Sequence, residues 1–247
     1  MEFKFDANQP YQGDAIASVV DLFEGQSADA YALETKLQSI IPTPGGQQAL
    51  DVAVEVGALG NNLLLDDAAL LQNLQAVQDR NGLEVASELA DGALDFDIEM
   101  ETGTGKTYVY LRTIFELAQK YNFRKFVILV PSTPIKEGVT TSIQLMAKHF
   151  QDLYAEPFDA TVYSGSAAEE VQSFATSTSV QIMVMSIHGL RGDKNSRVIH
   201  QTRDKLNTPK YGAAPGQQVI LYRIYVVDKG TDETGNAGLP VPVLTMT

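Results

Sequence analysis

Eight consecutive residues, Met100-Glu101-Thr102-Gly103-Thr104-Gly105-Lys106-Thr107, carry the chemistry most specific to this chain. Glycines at 103 and 105 let a backbone turn tightly and approach a ligand closely. Successive amides at the start of a following helix then point at an anion, and the helix dipole favours its charge. Lys106 would reach the β- and γ-phosphates of a nucleotide, and the Thr107 hydroxyl would ligate Mg²⁺. A bare Gly-Lys-Thr is a weak signal, and Met100 stands where the first glycine of G-x-x-x-x-G-K-[ST] would be. The context strengthens the reading, because a strand-like run, Leu94-Asp95-Phe96-Asp97-Ile98-Glu99, comes before the loop. A helical pattern with Tyr108, Leu111, Ile114, Phe115 and Ala118 at i, i+3, i+4 spacing comes directly after it. A Gly-rich strand–helix turn with a surface lysine would not explain why strand, loop and helix coincide.

Three further places could contribute. Gln12 is either an exposed helix residue or a carboxamide that donates to and accepts from one edge of adenine. Asp228 closes the apolar run from 217 to 227, where a phosphate-loop ATPase places a second Mg²⁺ carboxylate. The Glu that usually follows, to position the attacking water, is replaced by Lys229. His188 follows a strand and reads more simply as a hydrogen-bonded structural residue, while His149 and His200 fall on helix surfaces. The three histidines have no metal-ligand spacing.

The elements that must position these residues alternate. A helix is expected over 10–23, with Pro10 in its first turn and Tyr11, Ala15, Ile16, Val19 and Phe23 on one face. The segment 24–92 is rich in breakers and acidic residues, with short helices expected at 28–40, 47–56 and 66–78. The last carries a stripe of Leu70, Leu71, Leu74 and Val77, which reads as a core face rather than a partner-docking face. After the loop helix, Phe126-Val127-Ile128-Leu129-Val130 has the continuous apolar character of a strand buried on both faces. A helix over 135–154, a short strand at 161–163, a short helix at 167–175 and a strand at 180–185 follow. This alternation implies a parallel α/β sheet with right-handed crossovers. Ligands bind such sheets at the carboxyl ends of the strands, where the loop, Pro131-Ser132 and Ser186-Ile187-His188 all fall. The turn-rich stretch after Gly230 is expected to be poorly ordered or confined to edge strands.

Composition bounds the function. The 247 residues are 44% hydrophobic, which supports a real core. With no cysteine, disulfides and thiolate metal sites are excluded. No apolar run is long enough to span a bilayer, and the N-terminus lacks the apolar region of a signal peptide, so a cytoplasmic protein with no membrane contact is expected. The net charge of −13 has the wrong sign for a chain that holds nucleic acid mainly by charge. The charge is unevenly spread, however. Between Gly13 and Glu101 only Lys36 and Arg80 are basic, whereas Lys and Arg are frequent from Lys106 onward. A phosphate-rich partner would contact the later part.

Together these motifs resemble the N-terminal part of the Res subunit of type III restriction–modification enzymes, which are DEAD/DEAH-like superfamily 2 helicases and ATP-dependent endonucleases. The resemblance rests on Phe3-Lys4-Phe5-Asp6-Ala7-Asn8-Gln9-Pro10-Tyr11-Gln12, on Gln78-Asp79-Arg80-Asn81-Gly82-Leu83, and on the run from Asp95 through the loop to Leu117. Val130-Pro131-Ser132, Ile135-Lys136-Glu137-Gly138-Val139, Gln181-Ile182-Met183-Val184-Met185 and Gln201-Thr202-Arg203-Asp204-Lys205-Leu206 extend it to about residue 207. It implies a RecA-like P-loop NTPase domain over 93–210 with a parallel sheet flanked by helices. It also implies an adenine-recognition segment over 1–23, a mostly helical acidic insertion over 24–92, and a divergent tail over 211–247. Gln12 would then recognise adenine, Thr102, Gly103, Thr104, Gly105, Lys106 and Thr107 would hold ATP and Mg²⁺, and Pro131 and Ser132 would touch the DNA backbone. Implied partners are ATP, double-stranded DNA and the modification methyltransferase subunit.

The departures carry their own expectation. In this family an Asp-Glu pair follows a later strand of the same domain, whereas here Asp232-Glu233 lies in the turn-rich tail. The second RecA-like domain, with its arginine finger, and the nuclease domain have no counterpart in these 247 residues. A truncated or frame-disrupted gene product would give this pattern, with ATP binding, little or no hydrolysis and no DNA cleavage by this chain alone. The competing expectation is a non-catalytic partner-binding module with a vestigial loop. A small-molecule kinase is disfavoured, because it gives Gln12 and Val130-Pro131-Ser132 no role.

Overall fold

A computed structural model describes residues 9–28, 61, 63–89, 94–163, 170, 173–174 and 177–186, together with the backbone of strands at 222–228 and 243–246. At 94 and 95 it describes the backbone alone. The helices expected at 28–40 and 47–56, most of the one at 167–175, and His188, His200 and Lys229 lie outside these residues.

Helix α1 (Pro10–Val20) runs into a short 3-10 turn, Asp21–Phe23. Ile16, Val19 and Phe23 are buried as the spacing predicts. Tyr11 is not; it is 47% exposed. The next helix, α2 (Asp67–Arg80), opens on Asp66, whose carboxylate accepts the Ala69 amide at 2.9 Å. This is the ordinary N-cap arrangement that satisfies an orphan amide. Leu70 and Val77 of α2 are buried and belong to one core with Phe23, Leu111 and Phe126, so its stripe is a core face.

Strand β1 (Leu94–Met100) leads through the loop into α3 (Lys106–Tyr121). Then come β2 (Lys125–Val130), α4 (Thr133–Tyr154), β3 (Phe158–Val162) and β4 (Val180–Ser186). Helix α4 starts two residues before the expected 135, because Pro134 suits a first turn and Ser132 supplies an extended N-cap. Strand β3 begins before the expected 161, because pairing with β4 starts at Phe158–Val180. Strands β2, β4 and β3 pair in parallel, with Phe126 opposite Ile182 and Ile128 opposite Val184. Side chains alternate faces along a strand. Phe126, Ile128, Val130, Val180, Ile182 and Val184 accordingly pack into the core shared with α3 and α4. Val127, Leu129, Met183 and Met185 pack on the other face with Tyr163 and Phe174. Three parallel strands flanked by helices are the expected α/β architecture.

Strands β5 (Tyr222–Asp228) and β6 (Val243–Met246) complete a sheet of order β1-β5-β6-β2-β4-β3. β5 is parallel to β1, and β6 is antiparallel to both β5 and β2. Two expectations are corrected here. The sheet is not wholly parallel, and the tail is not confined to an edge, since β6 lies inside the sheet. The pairs β1–β5 and β2–β4 each leave an unpaired row of amides and carbonyls facing the other. A strand placed between them satisfies both rows at once. Residues 243–246 contain no proline, so every amide of that segment can donate to the ladder. Because β6 alone is reversed, the carboxyl ends of the other five strands share one edge of the sheet.

Candidate nucleotide-binding site

The loop lies at that edge. Met100, the last residue of β1, is buried at 7% exposure. The chain is still extended there, so the glycine of the strict phosphate-loop pattern is not required, and a side chain fills the core instead. The turn begins afterwards. Gly103 has φ +81° and Gly105 φ +83°, conformations that residues with a Cβ adopt only under strain. The Glu101 carbonyl is the hub of the turn. It accepts the Thr104 hydroxyl at 2.6 Å and the Lys106 ammonium at 2.7 Å. Lys106 also donates to the Met100 carbonyl at 3.0 Å. Thr102, Gly103 and Gly105 are exposed, and Thr104, Lys106 and Thr107 are half-buried.

Helix α3 starts at Gly105 with no side-chain cap. Its first amides, without intrahelical partners, therefore lie at a half-exposed helix end beside a lysine. Here α3 differs from α2, whose start is capped by its own aspartate. The start of α4 is likewise uncapped, since the Ser132 hydroxyl makes no cap bond to its helix. Pro131 and Ser132 sit at the carboxyl end of β2, whose last residue pairs with Ser186.

Gln12 comes to the loop from α1. It is buried at 8% exposure, and its amide donates to the Thr104 carbonyl at 2.8 Å. A Cβ added at Gly105 would stand 2.6 Å from the Gln12 Nε2. The glycine is thus needed twice, for its positive φ and for the approach of Gln12. Asp228 reaches the same edge along β5, its Cα in register with Met100. The fold therefore brings together Gln12, residues 102–107 and the backbone position of Asp228. Pro131 and Ser132 share the edge, but β5 and β6 separate their strand from β1. His149 makes a long contact of 3.3 Å between its Nε2 and the Tyr108 hydroxyl. Among the described residues no cluster of acidic or histidine side chains could hold a metal ion unaided.

Two features escaped the sequence. Asn61 fastens its segment to the start of β2. Its side chain donates to the Lys125 carbonyl at 2.6 Å and accepts the amides of Arg124 and Lys125 at 2.6 and 2.9 Å. It falls in the breaker-rich segment 24–92, where the sequence offers only turn signals. The other is Tyr110, buried at 3% with a phenol oxygen that makes no hydrogen bond among the described residues. By spacing alone it is one more aromatic on a buried helix. Burial pushes this phenol's pKa up, and the neighbouring Thr107 hydroxyl opposes the shift.

The residues present suit a nucleotide with its cation: an uncapped helix start, two left-handed glycines, a lysine held on carbonyls, and a hydroxyl at Thr107. No helix among the described residues is long and apolar enough to cross a membrane.

Comparison with known proteins identifies the family. The sequence model of the family described as "Type III restriction enzyme, res subunit" matches residues 61–221. The chain is 28% identical over 203 residues to the type III restriction-modification enzyme EcoPI Res subunit of Escherichia phage P1, covering 80% of this chain and 18% of that protein. It is 26% identical over 203 residues, with the same coverages, to the EcoP15I Res subunit of Escherichia coli. Over 86 residues, 34% of this chain and 9% of the relative, it is 41% identical to the StyLTI Res subunit of Salmonella typhimurium. The chain thus spans less than a fifth of the length of these relatives. With well over half of its residues matched, it belongs to the family of type III restriction enzyme Res subunits, in their helicase-like region.

Proposed function

We propose that this chain binds ATP with Mg²⁺ through residues 102–107, as the nucleotide-binding part of a Res-type helicase-like protein acting on double-stranded DNA. The observation that carries the reading is the state of Lys106 at the uncapped start of α3. Its ammonium lies on the Met100 and Glu101 carbonyls. A swing of one side chain brings it to phosphate oxygens, with the α3 amides already directed there. The Thr107 hydroxyl and, from the neighbouring strand, Asp228 are the cation ligands of this reading. When bound, Mg²⁺ neutralises charge on the phosphates.

Gln12 is the adenine-contacting carboxamide. Its Nε2 is engaged on Thr104, so contact with a base couples to the position of the loop. Pro131 and Ser132 touch the DNA backbone through short polar groups, contacts that position DNA without reading sequence. The modification methyltransferase subunit is the protein partner on this reading. Phosphoryl transfer depends on positioning and charge stabilisation. Lys229 stands where a glutamate would orient water, so hydrolysis through this site is very slow or absent.

The test is binding of a fluorescent ATP analogue with Mg²⁺ by wild type and Lys106→Ala, with thermal melting of each. Saturable binding lost in a variant that melts like wild type supports a live site. Equal binding, or none, in two well-folded proteins removes the reading.

A further inference from the structure

Tyr110 follows Thr107 by three residues on α3, a spacing that places two side chains on one helix face. The phenol is 3% exposed, and its buried oxygen has no hydrogen-bond partner among the described residues. Burying a hydroxyl unpaired is costly, and a phenylalanine would fill the same space without that cost. Packing therefore accounts for the ring but not for the oxygen. The side-chain hydroxyl that acts on this phenol is that of Thr107. The two are neighbours that do not yet make a bond of normal geometry.

A threonine hydroxyl has one proton to donate and lone pairs to offer. When a lone pair goes to a divalent cation, the remaining O–H becomes a stronger donor and needs an acceptor.

We propose that Tyr110 is a positioning residue for the cation site: its buried phenol oxygen accepts the Thr107 proton and so holds the Thr107 lone pair toward the metal. The inference rests on the nucleotide-binding reading above and extends it to a residue outside the loop motif. It turns the orphaned oxygen into part of a chain that closes only when the cation is present.

The experiment titrates Mg²⁺ into the full chain at saturating non-hydrolysable ATP analogue, for wild type, Tyr110→Phe, Thr107→Ala and the double variant. Affinity for the analogue in EDTA and the ligand-free melting temperature are measured alongside. Tyr110→Phe is expected to weaken Mg²⁺ roughly two- to tenfold, the worth of one hydrogen bond. Analogue binding in EDTA stays unchanged, and the melting temperature stays equal or rises, because an unpaired buried hydroxyl has gone. In the Thr107→Ala background the Tyr110→Phe change adds nothing. An unchanged Mg²⁺ affinity in Tyr110→Phe, or effects that simply add in the double variant, overturns the proposal while leaving nucleotide binding intact. A lowered melting temperature with unchanged Mg²⁺ affinity assigns Tyr110 to packing alone. If wild type binds no analogue, with or without Mg²⁺, the nucleotide reading itself fails, and this inference with it.

Discussion

The Gln12 amide donates to the Thr104 carbonyl at 2.8 Å, joining residues 92 apart in sequence. Gly105 makes room for it, since a Cβ there would come within 2.6 Å of the same nitrogen. The first turn of α1 thereby holds the phosphate loop from one side while Lys106 holds it from within. Gln12→Ala is expected to cost about 1 kcal/mol of stability for the lost hydrogen bond. Amide exchange at Thr104 and Gly105 should quicken. If Gln12 also reads the base, preference for ATP over GTP falls in the variant while affinity for inorganic triphosphate holds. Comparing the three ligands by calorimetry separates the loop clamp from base recognition.

Met100 offers a test of motif against fold. Met100→Gly restores the first glycine of the strict phosphate-loop pattern. Because the methionine is buried at the end of an extended strand, the change opens a cavity and loosens β1. A loss of about 3 kcal/mol is expected, in the range for large-to-small core changes. No gain in nucleotide affinity should accompany it. A stable variant that binds ATP more tightly would contradict the placement of Met100 in the core.

Asn61 makes three bonds to the backbone of Arg124 and Lys125, where β2 begins. Asn61→Ala leaves two amides and a carbonyl without these partners at a part-buried position. Such a loss costs about 2–3 kcal/mol. Chemical denaturation should show a lower midpoint at an unchanged slope, since the surface exposed on unfolding is the same.

Lys125 opens β2 almost fully buried, its ammonium donating to the Ser177 carbonyl at 2.5 Å over the Phe174 ring. Burial lowers its pKa to about 8 from the usual 10.5, and the nearby Asp159 opposes the shift only in part. A lowered lysine pKa means the folded chain gives up this proton first. Between about pH 8 and 10.5 the unfolded chain therefore binds more protons, and stability rises with pH. Below pH 8 both states carry the charge, and the burial penalty stands in full. Measured from pH 7.5 to 10.5, the melting temperature of wild type should gain about 6–11 °C on that of Lys125→Met, which retains the stem but not the charge. Parallel curves would show that Lys125 is solvated in the folded protein.

Much of the site was legible because local rules govern it. Gly103 and Gly105 are needed for positive φ, a strand of alternating apolar and acidic residues precedes them, and a 3.6-residue period follows, so strand, turn and helix could be read from residues 94–118 alone. The apolar run of β2 and the spacing of α2 marked buried faces for the same reason: period and burial are properties of neighbouring residues.

What tertiary structure decided depends on residues far apart. Gln12 lies on the loop and Tyr11 faces solvent because α1 packs against α3, which no period within α1 specifies. Asn61 finds β2, and Tyr110 comes to rest buried beside Thr107 with an unpaired oxygen, through packing that sequence spacing alone could not fix. Strand β6 enters the sheet's interior because backbone amides and carbonyls must be paired wherever rows of them face each other. That same pairing sets Asp228 in register with Met100, beside the loop from which it is separated by more than a hundred residues of chain.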